Sequence, residues 1–263
     1  VAAVLLVASA VTLAVEPGAR GAVTATLVPG LLGSGGVLLR RLAGEWGFAL
    51  TEAPDGLRLR HGLLETRSQS IPRDRVQGVR VVEPVLWRPL GWVRVEVDVA
   101  GYGSGTQEEQ ARTRALVPVA PRTEAQRVLD ATLPGAVPGL LTGPSQALGR
   151  VGEPPRAPRP PRRALLVAPL SWRRLGVRVG EHVTATTGGV LQSVTDVVPH
   201  AKVQSLRVVQ GPLQRRLRLA SLHLDTAGRY VAGRAPHRDV RDADGLLAEL
   251  VERTRHARGD PPP

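Results

Sequence analysis

The sequence of 263 residues contains no cysteine and no methionine. Without cysteine the chain forms no disulfide, no thiolate metal site and no cysteine nucleophile, and nothing in it indicates an oxidising compartment. Because a translated chain starts with methionine, we expect Val1 to be an internal position of a longer protein. Aromatic residues are also scarce, with four Trp, two Tyr and one Phe. Single-stranded nucleic acid binds to rows of stacking rings, so we predict no nucleic-acid partner.

Motifs for catalysis and cofactor binding are missing as well. The six histidines show none of the close spacings that bind a metal ion. Glycine-rich stretches at residues 33–36 and 101–105 lack the lysine of a phosphate-binding loop, since the single lysine, Lys202, is far from both. No pair of carboxylates has the arrangement of a catalytic site. Asp98 and Asp225 are the last residues of two similar segments, 62–98 and 189–225, and we expect each to cap the turn that follows it. We predict no metal, no cofactor and no enzymatic activity.

Positive charge is abundant but uneven. The net charge is +12, and all but one of the 35 basic residues are arginine. Residues 45–130 balance 12 basic residues against 12 acidic ones, whereas residues 162–258 hold 17 against 8, an excess of 9. A basic face attracts anionic lipid, nucleic acid or an acidic protein, and charge alone does not choose among them.

The beginning of the chain is apolar. Residues 1–15 and 21–39 carry no charge, and a bilayer core of about 30 Å needs about 20 apolar residues in a helix. One alternative is a signal peptide, but a signal peptide begins with basic residues and this run does not. The other is a buried globular hairpin, because glycine and Pro29 make the second run a poor helix former. We predict a transmembrane hairpin over residues 1–41, which contacts the lipid bilayer through residues 1–39. Arg40 and Arg41 then place the following domains in the cytoplasm.

A repeat organises the rest of the chain. A shift of 127 positions lays residues 189–225 on residues 62–98 without a gap, and 12 of the 37 positions are identical. In both segments apolar residues alternate with polar ones at the period of a half-buried strand. Pro72 and Pro199 are expected to end a strand each, because proline has no N–H for a sheet. The sequence therefore predicts two copies of one mainly β unit.

Each copy is predicted to close with an amphipathic helix. Thr123 is a candidate N-cap for a helix over residues 124–133, and residues 243–256 form a second apolar stripe at helical spacing. Between the copies, residues 134–164 are rich in Pro, Gly and Arg, a composition typical of an extended linker. In the second copy we expect strands near Val177, Val183 and Val190.

The repeat resembles a known family. The string VPHAKVQSLRVVQGPLQRRLRLAS at residues 198–221 is similar to the signature of bacterial membrane-flanked domains with a pleckstrin-homology-like (PH-like) fold, and residues 71–95 are a looser version. The residues that match are Pro199, Gln204, Gln210, Leu213, Gln214 and Arg215. In the first copy the places of Gln210, Pro212 and Gln214 are taken by Glu83, Val85 and Trp87. The resemblance implies a strongly bent antiparallel sheet closed by a C-terminal helix, beside transmembrane helices.

The predicted fold is mainly β with α. Two PH-like split β-barrels, each closed by a C-terminal helix, follow the transmembrane hairpin. The predicted boundaries are 1–41 for the hairpin, 45–133 for the first domain, 134–164 for the linker, 165–258 for the second domain and 259–263 for a disordered tail.

One basic cluster is a candidate contact site. It comprises Arg207, Arg215, Arg216 and Arg218 around Gln214, and Arg80, Arg88 and Arg94 repeat it more weakly. Guanidinium groups on outward positions can bind lipid phosphates. A solvated face, or a strand edge that arginine protects from aggregation, is the plainer interpretation.

These observations lead to two functional hypotheses. The first is a multi-pass protein of the cell membrane with tandem cytoplasmic PH-like domains, acting as a non-catalytic scaffold or interaction module. The second is a module that binds anionic lipid headgroups through the basic face of the second domain. Another membrane protein is a further candidate partner, and an oligomer is compatible with either hypothesis.

Overall fold

The computed structural model describes residues 49–53, 56–61, 67–101, 114–133, 135–136, 139–141, 159–228 and 230–259. The elements of the first copy are β1 (Ala49–Ala53), β2 (Gly56–His61), β3 (Arg67–Ile71), β4 (Val76–Pro84), β5 (Trp92–Val99), β6 (Ala115–Pro121) and α1 (Arg122–Thr132). Those of the second copy are β7 (Gly176–Val179), β8 (Val183–Gly188), β9 (Gln192–Pro199), β10 (Val203–Val209), α2 (Pro212–Arg216), β11 (Leu219–Thr226), β12 (Gly233–Asp239) and α3 (Val240–Gly259).

Both copies use the same order of elements. Three strands are followed by a short 3-10 helix at Arg73–Arg75 or His200–Lys202, then two strands joined by a helical turn, a sixth strand and a helix. In the first copy the helical turn is a 3-10 helix, Val85–Leu90, in the place that α2 occupies in the second. Further 3-10 helices lie at Arg162–Leu166 and Trp172–Arg174. The repeat predicted from sequence is therefore a repeat of secondary structure.

The described strands form three sheets, and every pairing among β4 to β12 is antiparallel. Two have three strands, in the orders β1-β2-β3 and β10-β11-β12, and the third has six, in the order β6-β5-β4-β9-β8-β7. The six-stranded sheet takes three strands from each copy and joins them where β4 pairs with β9. The register there places Val79 opposite Val197 and Arg80 opposite Asp196.

This sheet corrects the predicted fold class. The prediction of two split barrels is wrong, because no sheet of the described residues closes into a barrel. The physical reason is the edge of β4: its backbone groups bond to β9 of the other copy, so the two copies extend one sheet instead of each closing on itself. The predicted mainly β structure, with a helix at the end of each copy, is present.

Helices of the described part are short or polar. No described helix is both long and apolar enough to cross a bilayer. The predicted transmembrane hairpin, residues 1–41, lies outside the described residues, so the membrane-spanning part of the fold prediction has no support. Most of the predicted linker, 134–164, and of the predicted tail, 259–263, also lies outside them.

The described residues belong to two compact units. Those at 49–50, 59–61 and 67–69 fall in one unit, and those at 51–58 and 70–259 fall in the other. The six-stranded sheet and the sheet of β10, β11 and β12 lie within the second unit.

The second copy has a continuous apolar core. Its sheet β10-β11-β12 contributes Leu222, Leu224 and Ala235, and the six-stranded sheet contributes Val177 of β7 and Val198 of β9. Leu246 and Leu250 of α3 complete the core. Each of these seven side chains is at most 5 % exposed. The apolar stripe predicted over 243–256 is thus the inner face of α3, which extends further in both directions.

Local sequence signals locate most element ends. β3 stops before Pro72 and β9 stops at Pro199, as proline requires. α1 begins two residues before the predicted helix, behind Pro121 and not behind Thr123. The strand predicted near Val190 is β9, which begins two residues later at Gln192, after the chain turns at Val190 and Leu191. Gly189, with φ of 94°, allows this turn, because a Cβ there would lie 1.9 Å from the carbonyl oxygen of Gln192.

Candidate functional site

The four arginines singled out from sequence lie around one turn of the second copy. Arg207 is on β10, Arg215 and Arg216 end α2, and Arg218 lies between α2 and β11. All four are exposed. We call the segment from Gln210 to Arg218 the second-copy turn.

Arg207 differs from the other three because it is engaged within the chain. Its Nε and Nη2 donate to the two carboxylate oxygens of Asp225 at 2.6 and 2.9 Å, and Ser205 Oγ donates to the same carboxylate at 2.7 Å. The hydrogen bond from Arg207 lowers the pKa of Asp225, and the same bond raises that of Arg207. The charge of Arg207 is therefore partly offset by its neighbour.

Gln214 holds the second-copy turn in shape. Its Oε1 accepts from the Gly211 backbone N–H at 3.0 Å, and its Nε2 donates to Ser221 Oγ at 2.8 Å and to His237 Nδ1 at 2.9 Å. Burial lowers the pKa of His237, which keeps Nδ1 available as an acceptor. Gln210 adds a bond from Nε2 to the Leu219 carbonyl at 2.9 Å. Gln210 and Gln214 of the family-like string thus have a structural role.

The end of the second-copy turn is also anchored through its backbone. Arg218 has φ of 50°, a left-handed conformation that costs energy outside glycine. Its carbonyl oxygen accepts from the Val240 N–H and from Arg163 Nη2, each at 3.3 Å, and Arg163 also forms an ion pair with Asp239. These contacts fix the backbone while the side chain of Arg218 stays exposed.

Apolar side chains are exposed beside these arginines. Leu213 of α2 is 51 % exposed, and Val208 and Val209 at the end of β10 are 37 % and 45 % exposed. Leu213 directly precedes Gln214 and Arg215 in one helical turn. The surface therefore combines cationic and apolar groups, a combination found in proteins that contact membrane interfaces.

In the first copy the corresponding arginines serve the fold. Arg80 donates to both carboxylate oxygens of Asp196 at 2.6 and 3.0 Å. Burial opposes its charge, but Asp196 outweighs burial and raises the pKa of Arg80. Arg88 donates to the Val190 carbonyl at 3.1 Å, and Arg94 donates to the Pro118 carbonyl at 3.3 Å and lies 5.9 Å from the Trp87 ring. The weaker basic cluster predicted there is not an open surface.

A polar cluster that the sequence did not reveal surrounds Tyr230. The guanidinium groups of Arg80 and Arg114 lie over the Tyr230 ring, with their Cζ atoms 4.4 and 4.5 Å from the ring centroid. The Tyr230 hydroxyl donates to Glu96 Oε2 at 2.6 Å. The backbone N–H groups of Tyr230 and Val231 donate to Asp98 Oδ2 at 2.7 and 2.8 Å.

The role of this cluster is to hold the two copies together. Asp98 thus binds the β11–β12 loop of the other copy, and the prediction that it caps its own turn is wrong. Residues 132 positions apart meet, and no spacing within the sequence signals such a contact.

Two buried basic groups are excluded from the contact surface. His200 is fully buried: its Nδ1–H donates to the Glu181 carbonyl at 3.1 Å, and Nε2 accepts from Thr184 Oγ1 at 2.8 Å. Arg238 is 1 % exposed, and burial lowers its pKa to about 10. Within the described ranges no three His, Asp or Glu side chains are grouped closely enough to hold a metal ion.

Comparisons with known proteins bear on both copies. The family model described as "Bacterial PH domain" matches residues 2–135 and again residues 147–254. Comparison with curated proteins finds no match to this chain. The tandem match confirms the PH part of the resemblance noted in the sequence, whereas it gives no support to the membrane-flanked part.

Proposed function

Because this chain belongs to the bacterial PH domain family, matched in both of its halves, we propose that it is a non-catalytic interaction module whose contact surface is the second-copy turn. One observation carries the proposal: the turn is fixed by its own hydrogen bonds, yet it exposes Leu213, Arg215, Arg216 and Arg218. A rigid turn presents side chains to a partner at a lower entropic cost than a flexible one.

Anionic lipid headgroups are the partner that this chemistry favours. Arginine binds phosphate through its fork of N–H donors, and an exposed leucine beside it has a place in the apolar part of a membrane interface. Arg215, Arg216 and Arg218 are the three candidates, because Arg207 is paired with Asp225. A position at the cytoplasmic face of the cell membrane stays a prediction, and labelling of the turn in intact and opened cells tests it.

Vesicle binding tests the lipid proposal. The full chain is mixed with phosphatidylcholine vesicles and with vesicles that also contain phosphatidylglycerol, and the readout is the difference in binding between the two. Each basic residue near an anionic surface contributes ~1 kcal/mol, so the Arg215→Ala/Arg216→Ala/Arg218→Ala variant should lose ~3 kcal/mol, or roughly 100-fold, of the anionic-lipid dependence. Added salt should weaken the binding of the unmodified chain.

A variant of equal charge provides the control. Arg73, Arg75 and Arg127 are exposed arginines of the first copy, and their replacement by Ala changes the net charge by the same amount. The control variant should keep most of the difference between the two vesicle types. Equal losses in both variants would show that net charge alone attracts the chain to anionic lipid, and unchanged binding in the turn variant would leave the module with a protein partner.

A further inference from the structure

β10 is an edge strand with an exposed apolar surface. In the sheet β10-β11-β12, β11 lies on one side of it, and no described strand lies on the other. Only Val203 of the strand is buried, and Val208 and Val209 are 37 % and 45 % exposed. An open edge of this kind presents unpaired N–H and C=O groups to any strand that fits.

The equivalent strand of the first copy shows what the edge lacks. The strand that corresponds to β10, 127 positions earlier in the chain, is β4. Its apolar residues are buried: Val79 is fully buried and Val81 is 3 % exposed. Their counterparts are Leu206, which is partly buried, and Val208. The difference arises because β4 pairs with β9, which places Val197 opposite Val79 and Thr195 opposite Val81.

The chain contains a second strand of the β9 type. In the same way β3 corresponds to β9, and Ser70 and Ser68 are the counterparts of Val197 and Thr195. Val197 is fully buried against β4, whereas Ser68 and Ser70 are exposed. Among the described strands, only β2 lies beside β3. Among the described strands, β10 thus corresponds to β4 and β3 corresponds to β9, but neither has the partner that the internal junction provides.

We propose that β10 of one chain pairs antiparallel with β3 of a second copy of the chain, and so repeats the junction of β4 with β9 between molecules. The internal register places Leu206 opposite Ser70 and Val208 opposite Ser68 of the partner copy. Strand addition supplies backbone hydrogen bonds along the edge, and it covers Val208 as Thr195 covers Val81. This contact does not depend on lipid binding by the second-copy turn.

The geometry of the contact determines the kind of assembly. β10 and β3 are different surfaces of the chain, so the contact is head-to-tail, and a dimer joined by one such contact leaves one β3 and one β10 open. Such contacts close into a ring or continue as a filament. Antiparallel pairing of two β10 strands, by contrast, would stop at a symmetric dimer.

Disulfide trapping distinguishes these arrangements, and the absence of natural cysteine makes it clean. Single variants Val208→Cys and Ser68→Cys of the full chain are mixed and mildly oxidised. The proposal expects a mixed disulfide between the two variants and little product from either alone. A disulfide from Val208→Cys alone at the same yield would overturn it in favour of a symmetric pair, and no intermolecular product would overturn it altogether.

The internal junction provides a positive control. Val81 and Thr195 are the counterparts of Val208 and Ser68 and are opposite each other in the β4–β9 register. The double variant Val81→Cys/Thr195→Cys should form an intramolecular disulfide under the same conditions, which shows that this register brings two cysteines within reach.

Self-association supplies the second measurement. The mass of the unmodified chain, followed by light scattering, should increase with concentration, and Val208→Lys/Val209→Lys should abolish the increase. Val85→Lys is the matched control, because Val85 is 43 % exposed and lies in a 3-10 helix and not at a strand edge. An increase in mass that persists in the β10 variant, or that Val85→Lys also abolishes, would refute the proposed edge.

Discussion

Asp98 is expected to be one of the most important polar residues for stability. Its Oδ2 accepts two backbone N–H groups, from Tyr230 and Val231, which belong to the other copy. Asp98 is 5 % exposed and Val231 is 1 % exposed. The Asp98→Ala variant removes the acceptor of both N–H groups.

The size of the effect follows from these two bonds. A hydrogen bond to a charged group contributes about 1.5–3 kcal/mol, and a buried donor left without an acceptor costs a comparable amount. Two such bonds give a loss of about 3–6 kcal/mol for Asp98→Ala, a large part of the 5–15 kcal/mol that is typical of whole proteins. Asp98→Asn keeps one carbonyl oxygen as an acceptor and should cost less.

Denaturant unfolding of the full chain measures this loss, and the repeat supplies the control. Asp225 is the sequence counterpart of Asp98, but it binds the exposed side chains of Ser205 and Arg207. Surface ion pairs contribute little to stability, so Asp225→Ala should change the unfolding midpoint much less. Equal effects of the two substitutions, or no effect of Asp98→Ala, would refute the assignment of Asp98 as the residue that joins the copies.

Three further predictions concern buried or half-buried positions. Burial lowers the pKa of His200 from 6.5 to about 4. The stability that its neutral form provides is therefore complete above pH 6.5 and falls by up to about 3 kcal/mol as the pH drops towards 4. Unfolding of the unmodified chain and of His200→Gln at both ends of this range should show the loss in the unmodified chain. A Cβ on Gly78 would lie 2.8 Å from Val231 Cγ1, so Gly78→Ala should lower the free energy of unfolding by about 1–3 kcal/mol, measured by thermal unfolding. Gly245 has open space around it, so the control Gly245→Ala should not destabilise the chain. Gln214→Ala should cost about 1–3 kcal/mol and should also reduce vesicle binding, and retention of both stability and binding would contradict a structural role for this side chain.

Local structure was largely accessible from the sequence. The alternation of apolar residues along β4 and β5 and the shift of 127 positions predicted strands in both copies, because a half-buried strand imposes a period of two wherever it lies. Proline marked the ends of β3 and β9 for an equally local reason. Element ends were predicted less well: β9 begins at Gln192 and not at Val190, and α1 begins at Arg122 and not at Glu124.

The arrangement of the sheets was not accessible in the same way. β4 and β9 lie more than 100 residues apart, and any alternating strand in the chain satisfies the pattern that either of them requires. Pairing with β9 depends on the ion pair of Arg80 with Asp196 and on apolar contacts of Val79 that appear only once both strands are placed. The sequence therefore predicted two closed units where the structure has one shared sheet.

The candidate site was predicted in part. Charge clustering pointed to the second-copy turn and to Arg207, and these arginines are exposed. Only Arg207 lies on a strand, whereas Arg215 and Arg216 lie on α2 and Arg218 lies between α2 and β11. The sequence did not show that Arg207 is held by Asp225 or that Gln214 holds the turn. These contacts depend on which strand pairs with β10, and Asp225 reaches Arg207 only because β11 is that strand.

The two copies use one arginine position differently, and the neighbouring strand explains the difference. Where β9 lies beside β4, Arg80 extends across the junction to Asp196. At the open edge of β10 the equivalent Arg207 turns back to Asp225 of its own sheet, while the equivalent Asp98 binds the loop of the other copy. In the proposed contact with a second chain, Gln69 of that chain occupies the place of Asp196 opposite Arg207. Because glutamine is uncharged, Arg207 can keep Asp225 as its partner there, and the intermolecular junction should then be weaker and less sensitive to salt than the internal one.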